Sequence, residues 1–291
     1  MIFGRLITAM VTPFTPSDSI NFDEAIRLAT HLFDTGTEAL VLCGTTGESP
    51  TLSHNEEFAF FKEMRRAFPK ACLIAGSGSN CTKTAIESTR EVEKIGLNGS
   101  MQVVPYYNRP SQEGLLAHFM SIADSTSLPI MLYNIPARTG RNMEADTIIQ
   151  LAEHPQIVAI KEASGDINQA RNIACKTPDS FCLYSGDDAW LLPIMGVGGV
   201  GVVSVAAHLV GADLAKAIDA VLSNEPDVAT AIMDRIADLI EVLFVEPNPT
   251  PLKYALQRLG FNVGSPRLPL VPVLPSTQLK VDRCLTSLGM M

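Results

Sequence analysis

The sequence predicts an α/β protein built as a (β/α)8 TIM barrel, followed by a small C-terminal helical domain. Short runs rich in valine, isoleucine and leucine recur eight times along the chain. Amphipathic helical stretches separate these runs, and the alternation ends after about 220 residues, the length of one such barrel. A doubly wound open sheet is the alternative, but no GxGxxG turn follows the first run.

The apolar runs are the predicted strands. Each run is short and continuous, which is typical of a parallel strand buried on both faces. In chain order the runs are LITAMVT (6–12), ALVLC (39–43), ACLIA (71–75), MQVV (101–104), IMLY (130–133), IVAI (157–160), FCLYS (181–185) and VGVVSV (200–205).

Helices are predicted between the strands. Residues 53–68 carry a helical pattern, in which Ser53 and Glu56 have the spacing of a capping box. Residues 82–96 end in glycine, as helices often do. The uncharged stretch 189–207 is long enough to span a membrane, but it contains a proline and four glycines. A helix, a glycine-rich turn and a buried strand are therefore expected there.

The last quarter of the chain lacks this alternation. Helices are predicted at 227–243, 251–260 and 276–288, and a proline-rich link joins the first two. The sequence therefore predicts a barrel over residues 1–224 and a C-terminal helical domain over residues 225–291.

The composition of the chain argues against several classes of function. A chain of 291 residues that is 46% hydrophobic and 18% charged can bury a large core. Its formal charge of −9 and its lack of a basic cluster argue against a nucleic-acid surface. The six cysteines form no CxxC pair and are expected to be free thiols in a reducing compartment. We expect no metal site, no membrane span and no signal peptide, and therefore a cytoplasmic protein.

Polar residues follow the predicted strands, at the end of the barrel where active sites of this fold lie. GTTGES follows the second run, PYYNRP the fourth, NIPARTG the fifth, KEASGD the sixth and GDD the seventh. Ordinary turn chemistry explains the glycines, Asp187 and Asp188. It does not explain four further residues that converge on one rim: Tyr107, Tyr133, Arg138 and Lys161.

Lys161 stands at the end of an apolar run, where a charged ammonium group is unfavourable unless it is paired or neutralised. A single lysine there is typical of a stem that covers apolar surface. The polar neighbours favour a covalent role, because a free amine attacks a carbonyl carbon to form a Schiff base. At an ordinary pKa only about one lysine in 2,500 is free base at pH 7, and burial lowers that pKa.

Seven motifs carry a resemblance to a known family. GTTGES (44–49), PYYNRPSQEG (105–114), LYNIPARTGR (132–141), AIKEASGD (159–166) and YSGDDA (184–189) resemble the dihydrodipicolinate synthase family, which belongs to the pyruvate-dependent class I aldolases. NPTPLK (248–253) and RLPL (267–270) resemble its C-terminal region. The motifs occur in matching order and extend the resemblance from about residue 2 to the end of the chain.

The resemblance implies an enzyme of lysine biosynthesis that condenses pyruvate with L-aspartate 4-semialdehyde. It implies that Lys161 forms an imine with pyruvate and that Tyr133, Thr45 and Tyr107 relay protons. Tyr107 is implied to reach in from a neighbouring subunit of a homotetramer, which is a dimer of dimers. No cofactor is implied.

The resemblance also implies the residues that bind the substrates. Thr46 is implied to hold the pyruvate carboxylate, and Arg138 to hold the carboxylate of the semialdehyde. Gly186 and Val203 are implied to line the pyruvate pocket. Asp187 and Asp188 could contact the substrate amine, but the turn interpretation is equally good.

Many members of the family are inhibited by L-lysine at the interface of the tight dimer. The positions of that pattern that match are Ser49, His54, Asn80 and Tyr106. Two positions depart from it, because Glu57 and Thr84 stand where the pattern has a histidine and a glutamate. Weak or absent inhibition by lysine is therefore expected.

Two other functions compete. N-acetylneuraminate lyases and 2-keto-3-deoxy acid aldolases share the lysine, the YNxP tyrosine and the glycine-rich loop, but Arg138 and the tyrosine pair 106–107 favour the synthase. A non-catalytic pyruvate-sensing regulator would lack Lys161, Tyr133 or Thr45, and all three are present.

Overall fold

The computed structural model describes residues 2–291. Eight parallel strands pair in sequence order, and the eighth pairs with the first to close a barrel. The strands are β1 (Leu6–Ala9), β2 (Ala39–Leu42), β3 (Cys72–Gly76), β4 (Gly99–Val103), β5 (Ile130–Asn134), β6 (Ile157–Glu162), β7 (Cys182–Ser185) and β8 (Gly201–Ser204). The predicted TIM barrel is confirmed.

Helices surround the barrel and follow it. They are α1 (Phe22–Asp34), α2 (His54–Ala67), α3 (Thr82–Ile95), α4 (Gln112–Ala123), α5 (Pro136–Thr139), α6 (Ala145–Leu151), α7 (Ile167–Lys176), α8 (Leu191–Gly196), α9 (Ala207–Leu222), α10 (Pro226–Val242), α11 (Thr250–Arg258) and α12 (Pro275–Ser287). Short 3-10 helices occupy Ser49–Thr51 and Asp188–Trp190. The predicted capping box exists: Ser53 and Glu56 exchange hydrogen bonds at the start of α2.

Alternate residues of the strands fill the barrel interior, as the two-residue period of a strand requires. Ile7, Met131, Ala159 and Val203 belong to one buried cluster there. Lys161 is two residues beyond Ala159 on β6 and therefore points to the same side. The strand itself runs on to Glu162, so Lys161 lies within it rather than just after it, as the apolar run alone suggested.

The C-terminal helices lie where the sequence predicted them. α9 ends at Leu222 and α10 begins at Pro226, on either side of the expected boundary. Arg258 on α11 pairs with Asp282 on α12, with 2.8 Å between Nε and Oδ1.

The uncharged stretch 189–207 contributes α8 and β8, and within residues 2–291 no helix is long and apolar enough to cross a membrane.

Candidate active site

Lys161 is a buried amine at the carboxyl end of β6. Its side chain is only 5% exposed. Burial lowers the pKa of Lys161 to about 8; Asp188 and Asp187 oppose this shift, while the charge of Arg138 adds to it. At that pKa about one amine in ten is free base at pH 7, roughly two hundred times the fraction of an ordinary lysine.

Tyr133 is the neighbour of Lys161 on β5, and the Cα atoms of the two residues are register partners. The Lys161 Nζ atom lies 4.4 Å from the centroid of the Tyr133 ring. Burial raises the pKa of Tyr133 to about 12, although Arg138 and the Thr45 side chain act in the opposite direction. Such a phenol keeps its proton at neutral pH and is suited to passing protons along a chain of hydroxyl groups.

Gly186 leaves room for the lysine stem. A Cβ atom at this position would lie 2.7 Å from the Ala163 Cβ and 3.1 Å from the Lys161 Cγ. Any side chain there would press on Lys161 and on its strand. Val203 is fully buried on β8, in the same interior cluster as Tyr133. Both residues therefore line the barrel interior around the lysine.

The loop after β2 carries both predicted threonines. The backbone N–H groups of Thr45 and Thr46 have no acceptor among residues 2–291. Free amides in a glycine-rich turn are a favourable surface for an anion. The Thr46 side chain is 2% exposed, and its Oγ1 accepts a hydrogen bond of 2.9 Å from the Asn248 Nδ2.

Arg138 extends from the short helix α5 toward solvent. No oxygen atom within the described chain accepts a hydrogen bond from its guanidinium group. Arg138, Tyr133 and Thr45 line one wall of a cavity of about 410 Å³. Lys161 contacts the Tyr133 ring without itself lining this cavity. An unpartnered guanidinium group at the mouth of a cavity is suited to a carboxylate ligand.

The carboxylates of the two aspartates after β7 accept hydrogen bonds from other groups of the protein. The Asp188 carboxylate is 1% exposed and accepts hydrogen bonds from the Ser204 hydroxyl and from the backbone N–H groups of Val205 and Ala206, each of these two at 3.0 Å. Asp187 caps the 3-10 helix that follows it. These contacts favour the turn interpretation of both residues, while their charges still act on Lys161.

The same cavity is lined by most of the residues of the predicted lysine site. Those that line it are Ser49, His54, Glu57, Thr84 and Tyr106. Asn80 lies beside them and donates from Nδ2 to the Tyr106 carbonyl at 3.2 Å. The His54 Nδ1 lies 3.0 Å from the Glu57 Oε2, and burial raises the pKa of Glu57 to about 7. Glu57 therefore exchanges a proton near neutral pH.

Tyr107 lies apart from the other predicted catalytic residues. Its side chain is 91% exposed, and its φ of 73° is in the left-handed region that residues other than glycine seldom adopt. A single chain thus places Lys161 against the Tyr133 ring and lines one cavity with Tyr133 and Thr45, but it leaves Tyr107 outside.

Known proteins of one family are similar to the chain over almost its whole length. The model of the dihydrodipicolinate synthetase family matches residues 2–288. The chain belongs to this family. It is 52% identical to the 4-hydroxy-tetrahydrodipicolinate synthase of a Cyanothece species, over 99% of both chains. It is 49% identical to the enzyme of that name from Moorella thermoacetica, over the full length of both.

A solved structure extends the comparison to three dimensions. The crystal structure of dihydrodipicolinate synthase from Cyanidioschyzon merolae with lysine bound is 46% identical to this chain. The two superpose with a TM-score of 0.98 over 100% of this chain and 99% of the other. The barrel and its helical C-terminal region are thus those of the dihydrodipicolinate synthetase family.

Four residues near the site were not singled out by sequence reasoning. They are Glu48, Asn248, Lys253 and Arg267. All four lie inside motifs of the family resemblance, in GTTGES, NPTPLK and RLPL. Their presence in those motifs was the available signal, but their contacts join parts of the chain about 200 residues apart.

Within residues 2–291 no group of three or more histidine, cysteine, aspartate or glutamate side chains is arranged to hold a metal ion.

Proposed function

We propose that the chain condenses pyruvate with L-aspartate 4-semialdehyde, as a 4-hydroxy-tetrahydrodipicolinate synthase of the diaminopimelate route to lysine. Relatives that carry this enzyme name are about half identical to it over the whole chain. The observation that carries the proposal is Lys161, a buried amine with a pKa lowered to about 8 that lies against Tyr133 inside the barrel.

The Lys161 amine attacks the carbonyl carbon of pyruvate, and water leaves to give an imine. The protonated imine draws electrons from the methyl group, which loses a proton and becomes the terminal carbon of an enamine. This carbon attacks the aldehyde carbon of the semialdehyde, whose oxygen takes up a proton. The amine of the semialdehyde then attacks the imine carbon, closes the ring and displaces Lys161.

Tyr133, Thr45 and Tyr107 are proposed to move the protons in these steps. The high pKa of Tyr133 supports a relay, because its hydroxyl passes on one proton as it receives another. The position of its ring against the Lys161 amine supports its place at the imine end of the relay. The exposed Tyr107 then completes the relay from a neighbouring subunit.

The two substrate carboxylates have separate binding groups in this proposal. Thr46 and the free amides of its loop bind the carboxylate of pyruvate, with Gly186 and Val203 lining the pocket. The unpartnered Arg138 binds the carboxylate of the semialdehyde. An N-acetylneuraminate lyase or a 2-keto-3-deoxy acid aldolase needs no arginine for a second small carboxylate, so Arg138 favours the synthase.

The proposed reaction is tested by trapping and by turnover. Borohydride added with pyruvate should reduce the imine and add one pyruvate-derived mass to the peptide that contains Lys161. Turnover should be high with L-aspartate 4-semialdehyde and negligible in the cleavage of N-acetylneuraminate and 2-keto-3-deoxy acids. An adduct without turnover of the semialdehyde would support a pyruvate-sensing regulator, and no adduct at all would refute the Schiff base.

The homotetramer, a dimer of dimers, is part of the proposal. Tyr106 and Tyr107 are 44% and 91% exposed, which supports a face that a second copy covers. If Tyr107 serves the site of its partner, Tyr107→Phe chains mixed with Lys161→Ala chains place both defects in one site and leave the other intact. Verified mixed oligomers should regain activity that neither parent has. No regain would place Tyr107 in its own subunit.

A further inference from the structure

The loop that carries Thr45 and Thr46 is bound by the C-terminal part of the chain. The Asn248 Nδ2 donates to the Thr46 Oγ1 at 2.9 Å across a sequence separation of 202 residues. Asn248 lies in the link between α10 and α11 and is 6% exposed. A residue outside the barrel thus contacts the side chain that is proposed to bind pyruvate.

This contact is the single side-chain hydrogen bond of Asn248. Its Oδ1 is buried and has no partner among residues 2–291. A buried amide ordinarily satisfies both of its ends, since an unpaired polar atom is unfavourable. The Asn248 amide therefore contributes little to holding its own link together, and its effect falls on Thr46.

The direction of the hydrogen bond determines what the Thr46 hydroxyl can do. A hydroxyl group has one hydrogen to donate and two lone pairs that accept. Because Asn248 occupies one lone pair as a donor, the Thr46 hydrogen is left for another acceptor. The carboxylate of a pyruvate bound against this loop is such an acceptor, and it would receive a charge-assisted hydrogen bond from the Thr46 hydroxyl.

A buried ion pair fixes the distance between the link and the loop. The Lys253 Nζ on α11 lies 2.5 Å from the Glu48 Oε1, and both side chains are 1% exposed. The Glu48 Oε2 accepts from the Arg267 backbone N–H at 2.8 Å. Glu48 itself has a φ of 59°, a left-handed conformation that such contacts hold in place.

We propose that Asn248 is a positioning residue that orients the Thr46 hydroxyl hydrogen toward the carboxylate of pyruvate. The Glu48–Lys253 pair holds the link at the required distance. The proposal rests on the proposed function, in which Thr46 binds that carboxylate.

The test replaces Asn248 in two ways. Asn248→Ala leaves the Thr46 hydroxyl free to rotate and should raise the KM for pyruvate about tenfold, with little change in kcat. Asn248→Asp is nearly isosteric, but its carboxylate accepts the Thr46 hydrogen and places a negative charge nearby. This variant should raise the KM for pyruvate more than Asn248→Ala does. The KM for the semialdehyde should be nearly unchanged in both.

A double-mutant cycle separates orientation from general packing. In a Thr46→Val background, Asn248→Ala should have no further effect on the KM for pyruvate, because no hydroxyl is left to orient. The control is Arg258→Ala, which weakens the contact of α11 with α12 and should leave the KM for pyruvate unchanged. Melting temperatures of all variants report any loss of folding.

The outcomes distinguish the two proposals. If the wild-type protein forms no borohydride-trapped pyruvate adduct, the proposed function fails. If the adduct forms and Asn248→Ala leaves the KM for pyruvate unchanged, or its effect adds fully to that of Thr46→Val, Asn248 does not act through Thr46. An equal rise in KM for Arg258→Ala would assign the effect to C-terminal packing and overturn the inference.

Discussion

Two buried lysines of this chain have similar surroundings and different partners. Lys161 in the barrel is 5% exposed and lies 4.4 Å from the Tyr133 ring centroid, while Lys253 of α11 is 1% exposed and lies 4.2 Å from the Phe14 ring centroid. Burial lowers the pKa of both amines. Only Lys253 has a carboxylate in contact, that of Glu48, which opposes the lowering of its pKa.

Burial against an aromatic ring therefore does not by itself mark a reactive amine. In the proposed mechanism, Lys161 differs from Lys253 because no carboxylate lies within ion-pair distance of its amine to offset the desolvation. The two arginines near the site repeat the contrast. Arg138 has no acceptor among residues 2–291, whereas Arg267 contacts Asp18 at 3.0 Å and Glu56 at 2.6 Å. Cations without partners are the ones we assign to substrates.

The strongest test of the contrast is Lys161→Ala. Removal of the proposed nucleophile should lower turnover by more than about a thousandfold and abolish the pyruvate adduct. The melting temperature should be unchanged or higher, because a buried amine without a partner is lost. Residual turnover near that of the wild type would exclude covalent catalysis by this residue.

Lys253→Met should have the opposite effects to Lys161→Ala: it should lower stability and leave the pyruvate adduct intact. Loss of one partner from a buried ion pair leaves Glu48 uncompensated, which destabilises a protein by about 3–5 kcal/mol. Denaturant unfolding measures this loss, and borohydride trapping at saturating pyruvate should still label Lys161. Adding Glu48→Gln should restore part of the stability. If Lys253→Met unfolds at the same denaturant concentration as the wild type, the pair is not structural.

Arg138→Ala tests the same contrast, between cations with and without a carboxylate partner, for the two arginines. Loss of a bidentate contact to a carboxylate should lower kcat/KM for the semialdehyde about a hundredfold, with little effect on the KM for pyruvate or on stability. Arg267→Ala is the matched control, and it should lower the melting temperature instead. Equal effects of Arg138→Ala on both substrates would mean that the arginine is misassigned.

Much of this contrast was predictable from local sequence, and part of it was not. The eight apolar runs predicted the strands, because that signal is contained in a few adjacent residues. A lysine after such a run was by itself typical of a stem that covers apolar surface, and the polar motifs after several strands favoured the covalent role of Lys161. Lys253 gave no such signal. Its partner Glu48 stands some 200 positions away, and the two meet only because the C-terminal part of the chain packs against the loop after β2. The same holds for Asn248 and Thr46.

The pH dependence of imine formation tests the lowered pKa of Lys161 without a mutation. The pKa lowered to about 8 means that the amine is protonated below pH 8 and free above it. The single-turnover rate of imine formation should therefore rise about tenfold per pH unit up to about pH 8 and then level off. A rate that keeps rising to pH 10 would show an ordinary lysine, and the contrast with Lys253 would then rest on partners alone.

The weakest effect is expected for L-lysine bound beside Thr84, which lines the cavity. A glutamate at position 84 would pair with an amine of the ligand, and Thr84 supplies no such charge. A charge-assisted contact is worth roughly tenfold to a hundredfold in affinity, so we propose weak or absent inhibition of this chain. Thr84→Glu should strengthen inhibition by that factor in a dose–response measurement.

Among residues 2–291, Glu57 is the one carboxylate that lines the cavity and is placed to replace the missing contact. It lines the same cavity, but its pKa of about 7 leaves it partly protonated at neutral pH, and His54 already contacts it. Any residual inhibition should therefore grow as the pH rises from 6 to 8, because the carboxylate gains its charge over that interval. Glu57→Gln should remove this pH dependence. Strong inhibition by submillimolar lysine that Glu57→Gln abolishes would overturn the prediction and identify Glu57 as the anchor of the ligand amine.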